Sequence, residues 1–154
     1  MNPIPLLLFL HVIAVTVWVG GMFFAYVCLR PVAATQLEPS QRLTLWAAVF
    51  ARFFPWVWLA LVLILSSGLA VIFQTGWGRA PLHWHVMLTL GVVMMMIFVH
   101  LYFSPFPRLQ QGVAATDWSK AGAALNQIRK MVGINLLIGL LTIAVATLGI
   151  YFRS

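Results

Sequence analysis

Residues 82–103 read LHWHVMLTLGVVMMMIFVHLYF and contain no acidic residue, no lysine and no arginine. A helix of about 20 apolar residues is long enough to cross the hydrocarbon core of a bilayer. Similar apolar stretches cover residues 3–29, 43–73 and 128–152, and the 82–103 stretch extends to about residue 104. The sequence therefore predicts an all-α fold, an integral membrane four-helix bundle in which residues 1–154 form a single domain.

The composition supports a membrane environment. Hydrophobic residues make up 63% of the chain and charged residues only 7%, whereas a soluble domain carries about 25% charged residues. The formal charge of +7 comes from nine Lys and Arg against two acidic residues. So few charges exclude a nucleic-acid interface, and we expect the membrane lipid to be the main partner. Cys28 is the single cysteine, which excludes an intrachain disulfide.

Prolines and polar residues indicate where the helices end. Arg30-Pro31 is expected to close the first helix, and Pro55 to kink the second. Pro105 and Pro107 are expected to stop the third helix. Residues 110–125 are polar and rich in alanine, which favours a short surface helix before the fourth span.

The basic residues predict the orientation of the chain. Seven of them lie in or near the 1–2 and 3–4 connections, whereas only Arg79 and Arg153 lie at the opposite side. The seven are Arg30, Arg42, Arg52, Arg108, Lys120, Arg129 and Lys130. Basic connections stay in the cytoplasm. We therefore expect both termini outside, in a multi-pass protein of the bacterial cytoplasmic (inner) membrane.

Histidines inside the apolar stretches are the candidate functional residues, because an ionisable side chain is costly in hydrocarbon. At 100° per residue, His11 shares one helix face with Ala14, Trp18 and Met22. The neighbouring Gly21 begins a Gly-x-x-x-Ala spacing that favours close helix packing over a cofactor site.

His85 is the second candidate ligand. It shares a face of the third helix with Thr89 and, by the predicted orientation, lies in the same outward half of the membrane as His11. Two imidazoles facing each other across packed helices are typical of a bis-histidine haem b. We therefore predict His11 and His85 as axial ligands of haem iron, with Trp18, Met22 and Thr89 lining the cofactor site.

His83 and His100 are secondary metal-ligand candidates, but a histidine near a helix end more often snorkels toward the interface or bonds to a carbonyl, and that interpretation is favoured for both. His83 points away from His85 on a regular helix, and His100 lies about 22 Å further along it. Copper is the alternative metal, because His83-x-His85-x-Met87 offers imidazole and thioether ligands if the third helix begins irregularly. The Met94-Met95-Met96 run is more typical of packing than of a copper site.

The fourth helix carries a stripe of small and weakly polar residues. Asn135, Gly139, Thr142, Ala146 and Gly149 follow one another at helical spacing. Such a stripe favours close contact between helices, and we expect Asn135 to donate or accept a hydrogen bond across it.

The residues 10–23, LHVIAVTVWVGGMF, resemble the first helix of the copper resistance protein D-like superfamily, with a histidine, a tryptophan and a glycine pair. Residues 52–69 look like its next helix. HemJ-type membrane protoporphyrinogen oxidases are similar in pattern, which implies haem b at His11 and a role for His100. Their third helix opens with Leu-His-x-Lys, and here His85 replaces the lysine. The superfamily also implies copper import.

The leading functional hypothesis is a haem b-binding redox protein that exchanges electrons with a quinone, superoxide or a porphyrinogen. A copper-binding or copper-transport protein is the alternative, and an assembly subunit without a redox centre is a third. No residue is assigned a catalytic role, so whether the chain is a haem-dependent oxidoreductase is left open. Self-association into a homo-oligomer is left open as well.

Overall fold

The computed structural model describes residues 3–149, which contain no strand. A helix α1 is followed by a π-helical segment, five further α-helices and one 3₁₀ turn. Their bounds are α1 Ile4–Phe23, the π segment Phe24–Leu29, α2 Arg30–Gln36, α3 Pro39–Thr75, the 3₁₀ turn Trp77–Arg79, α4 Leu82–Phe103, α5 Pro105–Ala114 and α6 Trp118–Leu148.

The first helical stretch is longer than the sequence indicates. The helix does not end at Arg30-Pro31 but continues through the π segment into α2. Pro31 lacks an amide hydrogen and would clash with the carbonyl four residues earlier in a regular helix. The wider π turns directly before it relieve that clash, which explains why the helix continues to Gln36.

The long helix α3 is defined at both ends by local chemistry. At its start, Glu38 and Gln41 form a capping box in which each side chain bonds to the other residue's backbone amide. Pro55 lies inside the helix, on its exposed side. At its end, Gly76 adopts φ +90°, a conformation that glycine takes at little cost.

The second half of the chain contains α4, α5 and α6. Helix α4 ends at Phe103, and Pro105 starts α5 as its first residue. Asp117 then caps α6 by accepting a hydrogen bond from the Lys120 amide at 2.9 Å. Helix α6 thus begins at Trp118, before the predicted start at residue 128, and the polar segment 110–125 is shared between α5 and α6. The predicted end of this helix near residue 152 lies outside the described residues.

Within residues 3–149, four helical stretches are long and apolar enough to cross a membrane: Ile4–Gln36, Pro39–Thr75, Leu82–Ala114 and Trp118–Leu148. Their strongest packing pairs α1 with α3, and both α5 and α4 with α6. Large apolar side chains such as Leu6, Val62 and Leu137 are more than half exposed, as expected where lipid is the solvent. The protein is therefore an all-α, multi-pass integral membrane four-helix bundle.

The two ends of the bundle differ. The connection end holds α2, α5 and the first turns of α3 and α6, and its core is a cluster of aromatic rings around Phe50, Phe54 and Phe106. The terminal end holds the start of α1, the end of α3, the start of α4 and the end of α6. A large cavity lies in this terminal half.

Candidate functional site

The outer cavity, as we call it, lies between α1, α3, α4 and α6 and has a volume of about 350 Å³. Most of its wall is aliphatic. The polar or metal-binding side chains on that wall include His11, Ser67, Trp84 and Thr142, together with three methionines. A volume of this size falls within the range of small-molecule sites.

His11 is held in the outer cavity by α3. Its Nδ1 lies 2.9 Å from the Ser67 hydroxyl oxygen, and Gly68 leaves room for the ring, since a Cβ there would be 3.5 Å from His11 Cε1. The Ser67 hydroxyl donates its proton to the Leu63 carbonyl. With the Ser67 proton on the Leu63 carbonyl, the matching tautomer of His11 donates from Nδ1–H to Ser67 and keeps the lone pair of Nε2 free.

Three methionines of α4 line the same cavity as His11. Met94 is buried, whereas Met87 and Met95 are half-buried. Met94 and Val19 meet at Gly139 of α6, where an added Cβ would lie 3.1 Å from each side chain. The cavity therefore offers one imidazole and three thioethers, the softest ligand types in this sequence apart from Cys28.

The structure does not bring the predicted ligand His85 into the outer cavity. Its ring packs against Trp77 of the 3₁₀ turn, with 5.2 Å between the ring centroids, and it is absent from the cavity wall. Thr89 is exposed and bonds back to the His85 carbonyl at 2.9 Å. The face of α4 that reaches the cavity passes instead through Met87, Leu88 and Gly91.

The secondary histidines also lie away from His11. His83 packs on Gly149, the residue that follows α6, where an added Cβ would lie 2.7 Å from the histidine Cβ. His100 is exposed near the end of α4. Helix α4 is regular from Leu82 onward, so the irregular start that a His83-x-His85-x-Met87 copper site requires is not found. Within residues 3–149, no three His, Cys, Asp or Glu residues cluster around a metal-sized space.

Trp18 and Met22 lie on the buried face of α1, as the helical spacing predicts, with 3% and 4% exposure. Trp18 lines both the outer cavity and a smaller inner cavity, whereas Met22 lines only the inner one. Asn135 of α6 also lines the inner cavity. The expectation that Asn135 bonds across the helix interface is wrong for its oxygen, because Oδ1 is buried with no hydrogen-bond partner in residues 3–149.

The sequence alone did not indicate Ser67, Met94 or Met95 as site residues, although it did name Met87 as a candidate copper ligand. A serine in an apolar helix usually bonds back to its own helix, and Ser66 does so with the Val62 carbonyl at 2.7 Å. The sequence feature that could have indicated this site is the Ser66-Ser67-Gly68 run, in which a hydroxyl side chain is followed by a glycine that leaves space beside it. In the methionine run, only two of the three side chains reach the cavity, and Met96 is 60% exposed.

A family model described as copper resistance protein D matches residues 47–148, well over half of the chain. The chain belongs to this copper resistance protein D family. The matched region includes Ser67 and the three cavity methionines, whereas His11 on α1 precedes it. No curated protein and no solved structure matches the chain. The family description links this membrane bundle to copper resistance.

Proposed function

We propose that the protein handles copper in the membrane and holds Cu(I) in the outer cavity. The observation that carries this proposal is the lining of one cavity by His11 from α1 and by Met87, Met94 and Met95 from α4. Thioether and imidazole ligands suit Cu(I) better than harder divalent ions. The family match, which covers α4, supports the same metal.

The chain's own residues have separate roles in this proposal. Ser67 favours the tautomer of His11 with its proton on Nδ1, so that Nε2 is the nitrogen available to the ion. The methionines provide neutral ligands that cost less to bury than carboxylates would. The apolar wall excludes water, and its half-exposed residues on α1 and α3 leave the cavity open on one side. A neutral, soft and only partly enclosed site suits an ion that is passed on.

The proposal is tested by competition of the purified protein with a chromogenic Cu(I) chelator. We expect His11→Ala to weaken Cu(I) binding by at least about tenfold, since even changes to residues that only support a ligand cost that much. His100→Ala is the matched control, because this imidazole is exposed and lies outside the cavity. Equal Cu(I) affinity in His11→Ala and the wild type would contradict the proposal.

The methionines allow a second matched pair. Met95→Leu removes a thioether from the cavity wall at nearly constant volume. Met96→Leu makes the same change at the adjacent, lipid-facing position. We expect only Met95→Leu to lower Cu(I) affinity. Equal effects of the two variants would show that the cavity does not hold the ion.

Haem b is a second candidate for the same cavity, favoured by its volume of about 350 Å³ and its largely apolar wall. His11 would be the axial imidazole. The donor set does not fit bis-histidine ligation, because His85 packs on Trp77 instead of lining the cavity. The visible spectrum of the purified protein separates the two candidates. A Soret band that disappears in His11→Ala would favour haem, and a colourless protein that retains copper would favour the copper site.

A further inference from the structure

A narrow groove at the connection end lies between the π segment, α3 and α6. Arg30 and Arg129 both line it, together with the rings of Tyr26 and Trp46. Arg42 lies one turn before Trp46 on α3, and therefore on the same side of that helix. Three arginines from three helices thus surround one groove, which we call the arginine groove.

The guanidinium groups around the arginine groove repel one another. Arg129 is close enough to Arg30 and to Arg42 to interact electrostatically with both, and no carboxylate of residues 3–149 is among the charged groups that act on it. Arginine stays protonated in proteins. The repulsion is therefore present at every physiological pH.

The carboxylates of the chain are used elsewhere. Glu38 and Asp117 are the only acidic residues in the sequence. Glu38 belongs to the capping box of α3, and Asp117 accepts a backbone amide at the start of α6. Neither acid neutralises the arginine groove, so a compensating negative charge has to come from outside the chain.

Two contacts hold the guanidinium groups at the arginine groove. Arg30 lies over the Tyr26 ring, 4.8 Å from its centroid, and Tyr26 itself packs closely on Gly133 of α6. Arg129 Nη1 donates to Asn126 Oδ1 at 3.3 Å. Each guanidinium has five N–H donors, so these contacts orient the groups and leave most of their donors available to a ligand.

The three groove arginines differ in burial from the other basic residues near the connections. Arg30, Arg42 and Arg129 are half-buried. The others are exposed, namely Arg52, Arg108, Lys120 and Lys130. Extension of a long side chain to the membrane interface explains the exposed residues. It does not explain three charges that converge and lose solvent, because burying a charge is unfavourable unless the charge is paired.

We propose that the arginine groove binds a phosphate group, to which the guanidinium groups of Arg30, Arg42 and Arg129 donate hydrogen bonds. The planar fork of arginine matches phosphate oxygens in pairs. The groove has a volume of about 20 Å³, which is room for one oxygen-sized group. A phosphate therefore enters with one oxygen, and a bulky metabolite is not enclosed.

Two sources carry this phosphate chemistry. Basic pockets between membrane helices bind the headgroups of anionic phospholipids, and a free phosphate ion has the same oxygens. The proposal is independent of the copper proposal, because its residues lie at the connection end and do not include His11 or the α4 methionines.

The test uses the full-length protein, purified in neutral detergent without anionic lipid, and two probes. Native mass spectrometry counts bound phosphatidylglycerol, and equilibrium dialysis measures inorganic phosphate. One double variant combines Arg30→Gln with Arg129→Gln. Its control combines Arg52→Gln with Lys130→Gln, which removes the same charge at exposed positions.

We expect the groove variant to bind at least one probe at least about tenfold more weakly than the control variant, because charge-assisted hydrogen bonds are lost. Equal binding of both probes by the two double variants would overturn the proposal, since overall positive charge would then account for the attraction.

A second double variant keeps the charge and guards against misfolding. Arg30→Lys with Arg129→Lys retains both cations but removes the planar forks. Thermal unfolding shows whether each variant is folded. We expect the lysine variant to bind the responding probe about tenfold more weakly than the wild type. Unchanged binding would overturn the proposal, because hydrogen bonds from the guanidinium groups would have no role.

The two probes also distinguish the sources of the phosphate. A groove-dependent loss of phosphatidylglycerol alone assigns the arginine groove to a lipid headgroup. A groove-dependent loss of inorganic phosphate alone assigns it to the free ion. If both probes depend on the groove arginines, the probe that binds more tightly to the wild type identifies the ligand.

Discussion

Ser67 is the hydrogen-bond partner of His11 Nδ1, and this bond favours the tautomer with the proton on Nδ1. Its hydroxyl has one hydrogen, which it donates to the Leu63 carbonyl, so its oxygen accepts from His11 Nδ1 at 2.9 Å. A ligand histidine that is held through its other nitrogen binds metal more tightly, because the ring is already oriented and the tautomer is fixed. The serine thus supports the proposed copper site without contacting the ion.

We predict that Ser67→Ala weakens Cu(I) binding by about 10- to 100-fold, the usual effect of losing a group that orients a ligand. Ser66→Ala is the matched control, because the Ser66 hydroxyl bonds only within its own helix and is exposed. The measurement is the same chelator competition that tests His11→Ala. An identical affinity for the two serine variants would show that the His11–Ser67 bond has no role in metal binding.

At the scale of the helices, Gly21 sets how closely α1 approaches α3. A Cβ on Gly21 would collide with the Phe53 ring, whereas a Cβ on Gly20 would meet no atom within 4 Å. The two adjacent glycines therefore differ in function. Gly21 permits close helix contact, and Gly20 faces open space, where a methyl group only favours the helix.

We predict opposite effects of alanine at these two positions. Gly21→Ala should destabilise the bundle by about 1–3 kcal/mol, the usual cost of overpacking a tight contact. Gly20→Ala should be neutral or should stabilise the helix by up to about 1 kcal/mol. The melting temperature of each variant in detergent checks both. A similar decrease in the two variants would mean that helix flexibility, and not the contact with Phe53, requires the glycine pair.

The same helices show what a sequence can predict about a membrane site. The buried face of α1 through Ala14, Trp18 and Met22 follows from 100° spacing. The rotation of α4 about its own axis depends on which of its sides α6 contacts. Met94 packs against Gly139 of α6. His85 lies on the opposite face of α4 at 100° per residue, and its ring therefore packs against Trp77 and not in the cavity. Periodicity assigns residues to faces of one helix but does not show which face meets which neighbour.

At the scale of the whole molecule, the four spans, the all-α class and the family resemblance were accessible from the sequence. Apolar length and low charge fix the spans and the class. The pairing of His11 with Ser67 joins residues 56 positions apart, and no local pattern contains that information. The sequence could not show either that Asn135 Oδ1 lacks a hydrogen-bond partner within the described residues, because the partners of a buried polar group come from neighbouring helices.

The orientation of the bundle in the membrane is predicted from the distribution of its basic residues. Seven Lys and Arg lie toward the connection end, and the side chain of Arg108 there bonds Gln127 of α6 at 2.9 Å. Because basic connections are retained in the cytoplasm, we predict that a reporter inserted at the exposed Thr116 turn is cytoplasmic. A reporter fused after Ser154 should be external.

Paired fusions to alkaline phosphatase and to green fluorescent protein test this orientation, because the first is active outside the cytoplasm and the second fluoresces inside it. An insertion in the Trp77–Arg79 turn is the control. This turn connects the end of α3 to the start of α4 at the terminal end of the bundle, so a reporter there should behave like the Ser154 fusion. That result places His11 and the outer cavity in the outward half of the membrane. Cytoplasmic signals from both the Trp77–Arg79 insertion and the Ser154 fusion would show that the bundle has the opposite orientation. The outer cavity would then receive its ligand from the cytoplasm.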